Sequence, residues 1–205
     1  MQSLIYWAFR DRIPGRLGDR TPALHKDEGF WVGSPSGEPV GEVTVRRPVT
    51  VLTADGGEMM AAWSFEHSVE TTAGRVAAWR FWSDVANWAE VDPAVEWVRL
   101  DGTFATGTTG VTKPVDQEEI HWRLAQVVAG EIAVVEILMA GAALRFTMRF
   151  EDKPGGGTRM TQTVTLDGER AADYIAAVEE LKEGMPVGMA KLAAAIARSA
   201  TAASN

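Results

Sequence analysis

Alternation of apolar and polar residues dominates the chain from Trp63 onward, and it predicts strands. Trp63, Phe65, His67 and Val69 fall on one side, against Ser64, Glu66, Ser68 and Glu70 on the other, the pattern of a half-buried strand. Thr71-Thr72 then offer a cap for a helix over Ala73–Trp82, and Ser83 opens a second short helix through Trp88 that stops at Asp92-Pro93. Six further strands are predicted, over Val95–Leu100, Gly107–Lys113, Glu118–Val128, Glu131–Met139, Leu144–Phe150 and Arg159–Leu166. Turn residues separate them: Asp101-Gly102, Ala129-Gly130, Gly141 and Pro154-Gly155-Gly156-Gly157. In the third, Ile120, Trp122, Leu124, Gln126 and Val128 share a face opposite His121 and Arg123. The clearest alternation sets Leu144, Phe146, Met148 and Phe150 against Arg145, Thr147, Arg149 and Glu151.

After Asp167-Gly168 the period changes from two to between three and four. Tyr174, Val178, Leu181, Met185, Met189, Leu192 and Ile196 mark one stripe of an amphipathic helix. Gly184, Pro186 and Gly188 interrupt it, which predicts a kink near Met185. The fold class that follows is α+β. A curved antiparallel sheet of about seven strands wraps a long C-terminal helix, with two short helices after the first strand. A sheet with one polar face must cover its apolar face, and this helix is the available cover.

The first 58 residues differ. They hold five of the nine prolines and eight of the twenty glycines, with only Glu42–Leu52 strand-like and Pro48 confining that to an edge. Seven basic residues meet eight acidic ones there, against thirteen and twenty in residues 59–205. Residues 1–58 therefore read as a loop-rich extension and 59–205 as the folded domain. Two origins stay open for the extension. It is a flexible N-terminal segment, or it lies outside the native chain. Gly56-Gly57-Glu58 can be encoded by a purine tract resembling a bacterial ribosome-binding site just ahead of Met59 and Met60.

Composition narrows the chemistry. No cysteine is present, which excludes disulfides, thiolate metal sites and a thiol nucleophile. His25, His67 and His121 lack metal-ligand spacing, so neither a metal nor another cofactor is expected. A net charge of −8 opposes polyanion binding, so no nucleic-acid partner is expected. Apolar runs fall far short of the roughly 18 residues of a membrane span, and Leu4–Phe9 is too short for a secretory signal. A soluble cytoplasmic protein is the expectation; its oligomeric state is not readable.

The stretch Ala73-Gly74-Arg75-Val76-Ala77-Ala78-Trp79-Arg80-Phe81-Trp82-Ser83-Asp84-Val85-Ala86-Asn87-Trp88 resembles the SRPBCC superfamily, the START-like or helix-grip fold, in its polyketide cyclase/dehydrase-type branch. Val98–Gly102 with Gly107-Thr108, and Leu181–Leu192 with its Gly-Met-Pro-Val-Gly-Met centre, are similar to that family's second and third strands and its C-terminal helix. Gly74 and Ala78 depart from the usual proline and branched residue. The resemblance spans 61 to about 200 and is specific for fold. It implies a cavity between sheet and helix that holds a small apolar molecule, or a polyketide-like substrate of a cyclase or dehydratase.

Inward positions that would line such a cavity are Phe65, His67, Trp122, Leu124, Phe146, Met148, Met160 and Gln162 on strands, and Tyr174, Val178, Met185 and Met189 on the helix. The same methionines and aromatics would equally fill a closed core. His67 reads as a hydrogen-bonded core histidine or as a general base, with Tyr174 the other acid/base candidate. Gln162 and Tyr174 are suited to holding a ligand carbonyl or hydroxyl. Trp79 and Trp82 read as anchors of the short helices, while Trp88 and Trp97 read as packing or as a pocket gate. Glu136 is expected on the solvent face, with a buried acid as the alternative. Arg145, Arg149 and Arg159 read as a solvated basic stripe, and His121 as inert at the surface.

Overall fold

The computed structural model describes residues 50–52, 58–60 and 62–203. The turns expected between Arg12 and Gly37, and residues 42–49 of the expected first strand, lie outside them. Strand β1 (Thr50–Leu52) pairs antiparallel with β2 (Glu58–Met60), Val51 opposite Met59. This hairpin straddles the expected boundary at residues 58 and 59.

Seven strands form the main sheet: β3 (Trp63–Thr71), β4 (Val95–Leu100), β5 (Thr109–Pro114), β6 (Ile120–Val128), β7 (Ile132–Met139), β8 (Ala142–Asp152) and β9 (Thr158–Asp167). Their spatial order is β3-β9-β8-β7-β6-β5-β4, antiparallel throughout. The chain therefore crosses from one sheet edge to the other between β3 and β4. Helices α1 (Arg75–Ser83) and α2 (Ala86–Val91) make that crossing. Sheet and long helix form the curved arrangement predicted from the pattern, the helix-grip fold that the resemblance implied.

Local chemistry departs from expectation at the helix starts. Gly74, not Thr71 or Thr72, occupies the N-cap of α1, and no side chain caps it. The Thr71 hydroxyl is engaged elsewhere, donating to the Ala193 carbonyl at 3.2 Å and so tying β3 to the last helix. Ser83 ends α1 rather than opening α2; the Asp84 carboxylate accepts the Ala86 N–H at 3.2 Å instead. The C-terminal helix is segmented too. A 3-10 turn (Ala171–Tyr174) leads to α3 (Ile175–Glu179) and then α4 (Leu181–Ala202). A break falls at Glu180, and α4 runs through Pro186. Pro186 lies only six residues into the helix, so its missing N–H removes a single bond, to the Lys182 carbonyl.

Register stacks the inner face in rows. Phe65, Val164, Phe146, Val135 and Leu124 lie side by side across β3, β9, β8, β7 and β6. Trp63, Leu166, Leu144 and Ile137 form the row on one side of it, and His67, Gln162, Met148 and Ala133 the row on the other. Leu181, Met185, Met189, Leu192 and Ile196 of α4 are buried in the same cluster. The expected face of β6 fails beyond Leu124. A bulge between Leu124 and Gln126 inserts one residue, so Gln126 and Val128 turn outward and Val127 packs toward the core.

The outer face carries a buried ionic network that the pattern did not anticipate. Glu136 is on that face yet only 3% exposed, because Arg123 and Arg145 close over it at 2.5 and 2.7 Å. Arg145 also contacts the buried Asp167. Glu136 is therefore neither a solvated surface acid nor an isolated buried one. The basic stripe is likewise not free: Arg145 is spent on Glu136 and Asp167, and Arg159 pairs with Glu70 at 3.1 Å. Arg149 is exposed.

Candidate functional site

The inner face is mostly apolar; Thr71 and Thr158 form one buried polar row with partners, and His67 and Gln162 lie in another. Gln162, in the middle of β9, has its side chain fully buried, and neither Oε1 nor Nε2 has a hydrogen-bond partner. Its register neighbours are His67 on β3 and Met148 on β8. Alternation places it there: Met160, Gln162 and Val164 face inward while Arg159, Thr161 and Thr163 face out. An amide without partners in such a layer is destabilising by about 1–3 kcal/mol for each orphaned group.

Several other buried polar groups are satisfied. Thr158 donates to the Ala73 carbonyl at 2.7 Å, and Trp88 Nε1 to the Trp82 carbonyl at 2.6 Å. Trp122 Nε1 donates to Thr112 Oγ1 at 3.0 Å. Besides Gln162, the orphaned atoms include Trp82 Nε1, beside Phe150, and Asp92 Oδ2, in the turn between α2 and β4.

His67 is 8% exposed, and burial lowers its imidazole pKa below the usual value of 6.5. The ring is accordingly neutral at pH 7, able to accept at one nitrogen and donate at the other. Tyr174 is also buried, but its hydroxyl donates to the Ala140 carbonyl at 3.2 Å, fastening the entry to the helix onto the β7–β8 turn.

The remaining candidates divide by place. Phe65, Leu124 and Phe146 share the central row; Met160 lies beside Phe150, and Val178, Met185 and Met189 supply the helix side. Trp122 stands apart. Its ring lies over Gly110, where an added Cβ would come within 2.3 Å of it, and stacks against Trp88 with centroids 5.5 Å apart. Trp88 is thus a packing residue, joined to Trp82, Trp79, Phe104 and Phe150 in one aromatic cluster. Trp79 and Trp82 anchor α1 to β8 through Phe150, as expected. Trp97 on the edge strand β4 is half-buried under the Arg99 guanidinium. His121 is exposed.

Sequence reasoning missed one polar cluster at the mouth of the helix break. Trp63 Nε1 donates to Glu179 Oε1 at 2.6 Å, and Lys182 both pairs with Glu179 at 2.7 Å and sits 5.5 Å over the Trp63 ring. The Lys182 and Trp63 hydrogen bonds hold the Glu179 carboxyl below its usual pKa, with Lys182 the larger influence. Trp63 and Glu179 are 116 residues apart, and no local pattern links them. Phe104, in the β4–β5 loop, was missed because loops carry no periodicity.

A seven-stranded antiparallel sheet with a long C-terminal helix against it is the helix-grip arrangement. The chain belongs to the polyketide cyclase/dehydrase and lipid transport family, whose profile matches residues 62–197. Among solved structures it is similar to norcoclaurine synthase from Thalictrum flavum, at 16% identity and a TM-score of 0.55, over 70% of this chain and 96% of that one. It is also similar to the Zhui aromatase/cyclase from Streptomyces sp. R1128, at 15% identity and a TM-score of 0.54, over 66% and 94%. At such identity the likeness shows the fold. No curated protein matches the chain. Among the described residues, no helix is long and apolar enough to cross a membrane.

Proposed function

We propose that this protein binds a small, largely apolar molecule between the sheet and α4. The observation that carries the reading is Gln162: a buried amide with both polar atoms unpartnered, on the face that looks toward the helix. Natural cores seldom leave such a group unmatched without a functional reason. Met148, Met160, Met185 and Met189 would supply a flexible lining able to follow varied ligand shapes. Phe65, Leu124, Phe146 and Val178 would supply its walls, and the domain beginning near Met59 would be the unit that binds.

Magnitude indicates what such a site needs. Burying about 300 Å² of apolar ligand yields roughly 7–8 kcal/mol gross, and association costs at least about 4 kcal/mol. Shape alone gives weak binding, so useful affinity draws on the Gln162 row. Incubation with a lipophilic mixture followed by native mass spectrometry tests the reading. A retained small molecule at one per chain is expected; a protein that emerges without any ligand would overturn it.

Cyclase or dehydratase chemistry in the same place is a second reading, favoured by the neutral, buried His67. His67 would be the base, because the Tyr174 hydroxyl already donates to Ala140. Under this reading His67→Ala abolishes turnover and keeps ligand binding.

A further inference from the structure

We infer that the ligand carries an uncharged head in which a hydrogen-bond donor and an acceptor sit side by side, as in a carboxamide or lactam. This rests on the reading of the interior as a ligand site. The primary amide of Gln162 presents one acceptor and one donor edge in a single plane. Both edges lack partners, and the inward residues before and after it on β9, Met160 and Val164, are apolar. Met148 on one flank offers only a weak acceptor, and His67 on the other is uncharged.

In the rows next to Gln162 the charged side chains lie on the other side of these strands. Glu136, Arg145 and Asp167 are locked to one another on the outer face of β7, β8 and β9, and Arg159 is paired with Glu70. An ammonium head would enter the Gln162 row with no counter-ion, and a carboxylate would find only His67, which would have to take up a proton against its burial; burying an isolated charge is far costlier than burying a paired dipole. A carboxylate would also set one oxygen against Oε1. An ester accepts from Nε2 but leaves Oε1 orphaned. A carboxamide meets both edges at once, through two antiparallel hydrogen bonds. Such a site discriminates because a mismatched head leaves buried polar groups unpaired.

The test is calorimetric titration of the full chain at pH 8 with four probes of equal chain length: octanamide, methyl octanoate, octanoate and octylamine. Octanamide is expected to bind about tenfold more tightly than the other three. In Gln162→Leu its affinity falls to that of methyl octanoate, whose own binding changes less than about threefold. Gln162→Met replaces that variant if circular dichroism shows Gln162→Leu unfolded. Octanoate or octylamine binding as tightly as octanamide, or a preference that survives the substitution, would overturn the inference alone. Failure of all four probes to bind would overturn the ligand-site reading beneath it.

Discussion

The two faces of the β7–β8–β9 layer bury polar groups in opposite ways. On the outer face, Glu136 and Asp167 are sealed by arginines that neutralise them. On the inner face, Gln162 is sealed by methionine and histidine that leave it unmatched. The first arrangement is complete within the chain. The second is, on the reading proposed above, completed by a bound molecule. Burial alone therefore does not mark a site; what singles out Gln162 is that both polar atoms of one buried side chain lack partners.

The largest consequence falls on the outer network. Arg145→Met strands the buried Asp167 and leaves Glu136 with Arg123 alone, and should destabilise the domain by about 3–5 kcal/mol, read as a lowered urea midpoint at unchanged slope. Gln162→Leu should act in the opposite direction. Removing the orphaned amide while keeping its volume should leave stability unchanged or raise it by about 1 kcal/mol. If both substitutions destabilised equally, the contrast between the faces would be lost.

The pattern of the sequence carried much of the sheet but not this contrast. Period two placed Phe146, Met148 and Gln162 inward because side chains alternate wherever a strand is regular. It failed at Gln126 and Val128, since the bulge after Leu124 is set by pairing with β7 and leaves no mark within β6. It put Glu136 on the outer face correctly, yet could not show that Arg123 and Arg145 fold over it from the two neighbouring strands. For Gln162 the inward position was readable from Met160 and Val164. The absence of partners is a property of everything around it, and only the assembled fold contains that. The Trp63–Glu179–Lys182 cluster was invisible for the same reason.

A smaller effect is read in the pH dependence of stability. His67 has its pKa lowered by burial, so below about pH 6.5 the unfolded chain takes up a proton that the folded one refuses. Stability should fall as pH drops through that window and recover as it rises. His67→Gln should flatten this part of the melting-temperature profile. The acid-side loss from Glu179, whose pKa is also lowered, belongs below its usual 4.5 and should persist in the variant.

The central claim is that the Gln162 amide awaits an external partner, and its own side-chain NH₂ signals report this most directly. In 15N-correlated spectra, the pair of resonances missing from Gln162→Leu identifies them. Saturation with octanamide should move those resonances strongly while exposed amides such as Gln126 stay in place. Resonances of Gln162 unchanged at full occupancy would contradict the account.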